Sequence, residues 1–351
     1  MSDQFQQTKP LLNRRIPMET IVMASAAGRK KADVIRFLDR LSLSFDPKVQ
    51  VTVLLEEDGE LLATGSRDKN LLKCIGVSPE RRGEGLAAAV MTVLVQDAIA
   101  AGFSHLFLFT TPSNQELFSG LGFYPVAATG DVLLMENQKN GVRDFVASFA
   151  VPDTKSITGA IVANANPFTN GHLYLVETAA GQCGTVHLFI LSEEQSTFPF
   201  EVRMELAQKA AARFPNVFVH PTGEYLISSA TFPNYFLKDK SRTAEVNCAL
   251  DLEVFCKCFA KPLHITRRYV GEEPFCPVTA RYNQALRETL PGNGVELITI
   301  PRREENGLAV SASQVRRLLE EGKLEEIRPL VPEPTFSYLA SLKNFPERNP
   351  L

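Results

Sequence analysis

The stretch Gly159-Ala160-Ile161-Val162-Ala163-Asn164-Ala165-Asn166-Pro167-Phe168-Thr169-Asn170-Gly171-His172 carries the pattern of a strand, a loop and the first turn of a helix. Residues 160–163 form an apolar run of strand length, and the asparagines and the proline that follow mark a turn. Apolar residues with helical spacing come next: Leu173, Val176, Ala179 and Ala180. The first N–H groups of a helix lack partners within it, and the helix dipole favours negative charge. The loop therefore predicts an anion site, in which His172 could donate a hydrogen bond to a phosphate oxygen.

From residue 157 onward, short apolar runs alternate with helical patterns, which is typical of a parallel α/β sheet. The predicted strands cover residues 160–163, 185–191, 216–220, 263–267 and 295–300. The predicted helices cover residues 172–181, 200–213, 242–259, 279–289 and 311–321. Ligands of such sheets bind outside the carboxyl ends of the strands, which is where the site loops of this half of the chain are expected.

A second candidate phosphate site lies far along the chain, at Val310-Ser311-Ala312-Ser313-Gln314-Val315-Arg316. Ser311 followed by Gln314 has the spacing of a capping box, and this is a sufficient structural reason for both residues. Ser313 and Arg316 are three positions apart, so they share one face of the predicted helix.

Two further loops have open interpretations. Arg203 lies in the first turn of the helix predicted over residues 200–213. Its guanidinium could face a phosphate or a carboxylate, or it could be an ordinary exposed arginine. Glu272 and Glu273 lie on a loop framed by glycine and proline. They could hold a ribose hydroxyl, a metal-bound water or a partner's basic group, or they could form a solvated acidic turn.

The first half of the chain contains a third pattern that is typical of phosphate binding. A strand predicted over residues 71–77 precedes Arg82-Gly83-Glu84-Gly85, and an Ala- and Val-rich helix is predicted over residues 86–101. Gly83 and Gly85 allow backbone N–H groups to turn inward, and the start of the following helix favours an anion.

The length of 351 residues suggests two domains of about 150 residues each. Turn-rich residues 138–141 and 151–153 mark the link, so the domains are expected at 1–150 and 151–351. The net charge of −3 gives no sign of a nucleic-acid footprint. No apolar run approaches the roughly 20 residues that span a membrane, and no signal-peptide pattern opens the chain. We therefore expect a cytoplasmic protein that binds neither nucleic acid nor membrane, with cysteines that are buried free thiols apart from Cys276 in a loop.

These motifs resemble known families. Asn166-Pro167-Phe168-Thr169-Asn170-Gly171-His172 resembles the Thr/His-x-Gly-His signature of the nucleotidyltransferase superfamily, in the version of phosphopantetheine adenylyltransferase. Residues 310–316 resemble its second signature, Ile-Ser-Ser-Thr-x-x-Arg, whose hydroxyls and arginine bind the β- and γ-phosphates. Most of residues 20–140 resembles GNAT-type acyltransferases, whose pyrophosphate-binding motif is similar to Arg82-x-x-Gly85-x-Ala87. Phe118 replaces the tyrosine with which many of them protonate coenzyme A, so recognition of a pantetheine-like arm is favoured over free-standing acetyl-coenzyme A chemistry.

Together with residues 198–203 and 271–279, these motifs resemble one family over nearly the whole chain, the [citrate (pro-3S)-lyase] ligase family. The resemblance implies an α/β protein in which a GNAT-like α+β domain precedes a Rossmann-like, parallel-sheet nucleotidyltransferase domain. It implies a ligase that uses ATP with Mg²⁺ to activate acetate as acetyl-adenylate. The acetyl group would then pass to the phosphopantetheine-type thiol of the citrate lyase acyl-carrier subunit, with release of AMP and pyrophosphate.

The resemblance also implies a set of site residues. The expected catalytic residues are His172 and Arg316. The expected residues that bind nucleotide or cofactor are Asn166, Thr169, Gly171, His172, Arg203, Ser311, Ser313, Arg316, Arg82, Gly83 and Gly85. No residue is expected to ligate a metal, since magnesium would arrive with the triphosphate. Two alternatives stay open: an adenylyltransferase of the phosphopantetheine adenylyltransferase type, and a regulatory acyl-carrier-binding protein with a vestigial nucleotide site.

Overall fold

The computed structural model describes residues 19–24, 28–149, 156–192, 196–226, 235–237, 242–272, 277–302, 304–305 and 308–342. The chain divides into two compact units. The first unit comprises Met1–Phe109, Leu117–Gly122 and Tyr235–Lys238. The second unit comprises Thr110–Glu116, Phe123–Asn234 and Asp239–Leu351. The domain boundary expected at residue 150 stays a prediction, and residues 150–155 lie outside the described residues.

The amino-terminal part of the chain is a mixed sheet with helices. Its strands are β1 (Glu19–Ala24), β2 (Val51–Glu57), β3 (Glu60–Asp68), β4 (Leu71–Val77) and β5 (Phe107–Thr110), and they lie side by side in that order. Its helices are α1 (Gly28–Arg40), α2 (Leu86–Ala100) and α3 (Gln115–Gly120). β1 to β4 pair antiparallel, whereas β4 and β5 pair parallel. The turn between β2 and β3 is tight because Asp58 (φ 54°) and Gly59 (φ 79°) are both left-handed, as a two-residue hairpin requires.

The second unit contains the parallel sheet that the alternating pattern predicts. An antiparallel pair, β6 (Tyr124–Ala128) and β7 (Leu133–Glu136), and the helix α4 (Gly141–Ala147) come first. The sheet consists of β8 (Thr158–Ala163), β9 (Thr185–Ile190), β10 (Val217–Pro221), β11 (Arg267–Gly271) and β12 (Glu296–Ile300). Its strand order is β10-β9-β8-β11-β12 and neighbouring strands run parallel, which confirms the Rossmann-like α/β prediction.

The helices of the second unit follow these strands. They are α5 (Asn170–Gln182), α6 (Phe200–Ala211), α7 (Thr243–Val254), α8 (Pro277–Thr289), α9 (Ala312–Glu320), α10 (Leu324–Ile327) and α11 (Glu333–Ser341). A short hairpin, β13 (Glu304–Glu305) with β14 (Leu308–Ala309), precedes α9. The chain runs from β8 to β9 and β10 on one side, and β11 and β12 lie on the other side of β8. The switch point of the sheet, where ligands of such folds bind, is therefore between β8 and β11.

The strand predicted over residues 263–267 is wrong, because β11 begins only at Arg267. The helix α7 continues into a π-helical segment, Phe255–Ala260, and a turn follows with His264 in the left-handed region (φ 53°). The strand that does form opens with Arg267 and Arg268. Two adjacent charged residues break the apolar pattern by which buried strands are predicted.

Two histidines lie within the core of the second unit. The side chain of His187 on β9 is wholly buried, and its Nδ1 lies 3.0 Å from Nε2 of His220 on β10. The rings of Phe149 and Phe189 pack against this pair. Burial lowers the pKa of His187 to about 4, and burial together with the neighbouring His187 lowers the pKa of His220 to about 3. Both imidazoles are therefore neutral in the folded protein at pH 7.

This pair makes the fold sensitive to acid. In the unfolded chain a histidine takes up its proton near pH 6.5, whereas the folded pair resists protonation until about pH 4. We expect the free energy of unfolding to fall as the pH is lowered through that window, as measured by denaturant titration at each pH. His187→Phe should flatten this slope, whereas replacing the exposed His264 with glutamine should leave it unchanged. An identical slope in His187→Phe would contradict the assignment.

The cysteines in the described part of the chain are free: Cys74, Cys183, Cys248, Cys256 and Cys258. Cys276 lies outside the described residues. Across the described ranges, no helix has both the length and the apolar character needed to cross a bilayer.

Candidate active site

The loop after β8 leads into α5 through a reciprocal cap. Thr169 is the N-cap residue, and its hydroxyl accepts a hydrogen bond from the backbone N–H of His172. In return, the backbone N–H of Thr169 donates to Nδ1 of the His172 ring at 3.0 Å. The ring also packs against the buried Phe168, with 5.3 Å between the ring centroids. The local sequence thus fixes the position of the imidazole as well as the start of the helix.

This cap determines the protonation state of His172. Because Nδ1 accepts the N–H of Thr169, the neutral ring carries its proton on Nε2. Burial, and then the positive charge of Arg302, lower the pKa of His172 to about 4. A neutral imidazole at pH 7 therefore presents an Nε2–H donor, which is the group that a phosphate oxygen requires.

The second helix start, at α9, has a similar construction. The hydroxyl of Ser311 is the N-cap and accepts a hydrogen bond from the backbone N–H of Gln314 at 3.1 Å. This is the serine half of the predicted capping box. One turn along the helix, Nη2 of Arg316 donates to Oγ of the exposed Ser313 at 3.2 Å, which confirms that the two residues share a helix face.

The two helix starts, which are far apart in the sequence, lie against each other. Nη1 of Arg316 donates to the backbone carbonyl of Asn166 in the first loop at 2.5 Å. The side-chain oxygen of Asn166 in turn accepts from the backbone N–H of Phe198 at 3.0 Å. A Cβ atom added at Gly171 would lie 3.2 Å from the carbonyl oxygen of Val310, just before the second helix. The two motifs are therefore packed against each other.

The close approach at Gly171 gives a test of this packing. Gly171→Ala pushes a methyl group against the backbone of Val310, so we expect a loss of unfolding free energy of roughly 1 kcal/mol or more. Gly181, near the end of the same helix, is exposed, and a Cβ atom added there would have no other atom within 4 Å. Gly181→Ala should therefore raise stability by about 0.5–1 kcal/mol. Chemical denaturation measures both changes in the free energy of unfolding. A loss in both variants, or a gain in both, would contradict the close contact between Gly171 and Val310.

Arg203 is not the exposed arginine that one interpretation expected, because its side chain is wholly buried. Its Nε donates to the carbonyl of Phe198 at 3.1 Å. Its Nη1 donates to the carbonyls of Asn164 and Leu191, at 2.7 and 2.8 Å. The guanidinium thus holds together the loops that follow β8 and β9. A direct contact between Arg203 and a nucleotide stays a prediction.

Arg302 is a member of the site that the sequence motifs did not identify. It follows β12 at the carboxyl edge of the sheet, and its positive charge acts on His172. Its Nε donates to the backbone carbonyl of Glu272 at 2.8 Å, so the loops after β11 and β12 are joined. The side chain of Glu272 is exposed, and Glu273 lies outside the described residues. The sequence does place Arg302 directly after the last strand of the sheet, and a cation at that position could have indicated a ligand-binding role.

The third predicted phosphate-binding segment, Arg82-Gly83-Glu84-Gly85, lies in the first unit. Gly83 (φ 86°) and Gly85 (φ 79°) are both left-handed, and a Cβ atom at either position would meet nothing within 4 Å. Arg82 is exposed, and Gly85 is the N-cap of α2 without a side-chain cap. This is an open helix start that an anion could approach. Phe118 on α3 is buried, so its ring belongs to the core.

Within the described ranges, no group of three or more histidine, cysteine or carboxylate side chains could hold a metal ion.

Comparison with known proteins identifies the family. Residues 158–339 match the family described as the citrate lyase ligase C-terminal domain, and residues 21–123 match the acetyltransferase (GNAT) family. The [Citrate [pro-3S]-lyase] ligase of Escherichia coli is 40% identical over 324 residues, covering 90% of this chain and 92% of the relative. That of Klebsiella pneumoniae is 40% identical, covering 89% and 93%. That of Haemophilus influenzae is 36% identical, covering 90% and 97%. The chain therefore belongs to the citrate lyase ligase family of enzymes.

Proposed function

We propose that this enzyme uses ATP to join acetate to the thiol of an acyl-carrier prosthetic group. In the first step, a carboxylate oxygen of acetate attacks the α-phosphorus of ATP. The bond from that phosphorus to the bridging oxygen breaks, pyrophosphate leaves and acetyl-adenylate forms. In the second step, the thiolate attacks the acetyl carbon, the thioester forms, and AMP leaves with the oxygen that came from acetate.

The observation that carries this proposal is the contact between the two helix starts. A triphosphate needs several donors at fixed positions, and a helix start provides backbone N–H groups as well as a favourable dipole. Here Arg316 links the second helix to the carbonyl of Asn166, and Gly171 brings the first helix against Val310. One polyphosphate chain lying across both helix starts satisfies this arrangement.

The chemistry of phosphoryl transfer suits such a site, because it needs positioning and charge stabilisation rather than covalent help from the protein. The Nε2–H of His172 and the guanidinium groups of Arg302 and Arg316 are donors and charges held in place before the reaction. Fixed donors need no reorganisation as negative charge develops on the phosphoryl oxygens. A magnesium ion bound with the triphosphate would supply further positive charge near the leaving pyrophosphate.

The identity of the acceptor is proposed from the relatives. Their names state that they are ligases of citrate (pro-3S)-lyase. The proposed acceptor for this chain is accordingly the acyl-carrier subunit of citrate lyase with its phosphopantetheine-type group, in the cytoplasm.

Pyrophosphate release tests the proposal and separates it from the alternatives. The protein is incubated with ATP and magnesium, with and without acetate, and then with the carrier subunit or with 4′-phosphopantetheine. Release that needs acetate supports the ligase. Release that needs 4′-phosphopantetheine and ignores acetate would instead indicate an adenylyltransferase, and no release under any condition would indicate a binding protein.

The first unit is proposed to bind the prosthetic arm through Arg82 and the open start of α2. Arg82→Ala removes an exposed cation, so we expect the KM for the carrier to rise about tenfold, as for the loss of one charge-assisted hydrogen bond. Pyrophosphate release with acetate alone should not change. The control is Arg36→Ala, which removes an exposed arginine of α1. It should leave the KM for the carrier and the pyrophosphate release unchanged. Acetyl transfer at the normal carrier KM in Arg82→Ala would contradict this role.

A further inference from the structure

The turn that follows β8 has a strained backbone. Ala165 is left-handed (φ 51°) although it is not a glycine, and it is 1% exposed. A left-handed alanine costs free energy because its Cβ atom crowds the backbone, so contacts from the surroundings must hold it in this conformation. Strain of this kind concentrates at functional sites, where a loop is kept in one geometry. The contacts that hold Ala165 therefore bear on the loop that leads to Thr169 and His172.

The residues on either side of Ala165 are both asparagines, and an arginine holds the backbone of each. The carbonyl of Asn164 accepts from Nη1 of the wholly buried Arg203 at 2.7 Å. The carbonyl of Asn166 accepts from Nη1 of Arg316 at 2.5 Å. The two arginines belong to α6 and α9, so the strained turn is fixed from two different helices.

The side-chain oxygens of the same two asparagines bind the segment between β9 and α6. The hydroxyl of Ser196 donates to the side-chain oxygen of Asn164 at 3.1 Å. That oxygen also accepts from Nη1 of Arg203 at 2.8 Å. The backbone N–H of Phe198 donates to the side-chain oxygen of Asn166 at 3.0 Å. Asn164 is therefore the point at which the turn, the segment before α6 and the buried guanidinium meet.

We propose that the side chain of Asn164 positions the first loop of the active site, by joining Ser196 and Arg203 to the strained turn. This rests on the proposed function, because the same loop leads into the helix start at which the triphosphate binds. Phosphoryl transfer depends on the placement of donors, and a displacement of about 1 Å can lower its rate on the order of a hundredfold. Asn164 is thus a positioning residue, which acts on the reaction through the placement of His172.

Asn164→Leu tests this role, because leucine is of similar size but has no acceptor. Nη1 of Arg203 keeps two acceptors for its two hydrogens, the carbonyls of residue 164 and of Leu191, so no buried charge is left unpaired. We expect kcat for acetate-dependent pyrophosphate release to fall about tenfold, because the donors are less well placed for the transition state. The Kd for ATP without acetate should change less than about threefold, since the two helix starts remain.

Ser196 provides a matched pair of variants. Ser196→Ala removes the hydroxyl that donates to Asn164 and should lower kcat, whereas Ser196→Thr keeps a hydroxyl and should restore it. In the double variant of Asn164→Leu and Ser196→Ala, kcat should be no lower than in Asn164→Leu alone, because both substitutions break the same hydrogen bond. If Asn164→Leu does not fold, the comparison of alanine with threonine at Ser196 carries the test.

The outcomes separate this inference from the proposed function. An unchanged kcat in Asn164→Leu, or in Ser196→Ala if only that variant folds, overturns the positioning role while the ligase activity stands. Losses that multiply in the double variant, or a threonine at Ser196 that is as slow as alanine, also overturn it. A wild-type protein that releases no pyrophosphate with acetate overturns the proposed function, and with it the role of Asn164 in that reaction.

Discussion

His172→Ala is expected to lower acetate-dependent pyrophosphate release by roughly a hundred- to a thousandfold, the scale for losing one donor to the transition state. The donor is the Nε2–H, because the backbone N–H of Thr169 donates to Nδ1. Since the pKa of His172 is lowered to about 4, its neutral form persists across pH 5–8. We therefore expect no step in the wild-type rate from His172 over that range, as a pH profile of the steady-state rate would measure.

The His172→Ala variant also loses half of a helix cap, so a control must separate the two effects. Glutamine at the third helical position can reach back to the N-cap N–H as in a capping box. His172→Gln should therefore recover the roughly 1 kcal/mol of unfolding free energy that is lost with the cap, without recovering the rate. A near-normal rate in His172→Ala would remove this residue from the reaction.

Arg316→Gln is expected to lower kcat/KM for ATP on the order of a hundredfold, because it removes the proposed charge-assisted contact to phosphate and the link between the two helix starts. The link is the hydrogen bond from Nη1 to the carbonyl of Asn166. Arg316→Lys should recover only part of the loss, because an ammonium group cannot replace the two differently directed bonds to Asn166 and Ser313.

The next residue along the same helix is the control for Arg316. Arg317 is exposed and contacts Glu321 at 3.9 Å. Arg317→Gln should therefore change neither the kinetics nor the stability measurably. Equal effects of the two substitutions would show that Arg316 acts only as a surface charge of α9.

The parts of the site that the sequence predicts are those with a local cause. The cap of Thr169 by His172 and the cap at Ser311 depend on residues three positions apart, and such spacings are visible in the sequence. The left-handed glycines before α2 belong to the same class, since Gly83 and Gly85 follow a strand and open a helix. Helical periodicity likewise predicts that Ser313 and Arg316 share a face.

The parts that the sequence does not predict depend on packing between distant segments. Arg302 influences His172 only because β12 and β8 both flank β11 in the sheet order, and the spacing of residues in the sequence does not carry that order. The complete burial of Arg203 depends on loop carbonyls from two other strands. The apolar pattern does not locate β11 for two reasons. A π-helical segment and a turn at the left-handed His264 occupy the residues where the strand is predicted to begin. The second residue of the strand is the buried but charged Arg268.

In the proposed reaction, acetate attacks the α-phosphorus of ATP at the joined helix starts. The most direct measurement uses acetate labelled with heavy oxygen in its carboxylate, with ATP, magnesium and the carrier subunit, and analyses the AMP by mass spectrometry. We expect each AMP released to carry one labelled oxygen atom, because the thiolate displaces AMP from acetyl-adenylate together with the oxygen that came from acetate. AMP without the label, formed at the same rate as the acetylated carrier, would rule out acetyl-adenylate as the intermediate.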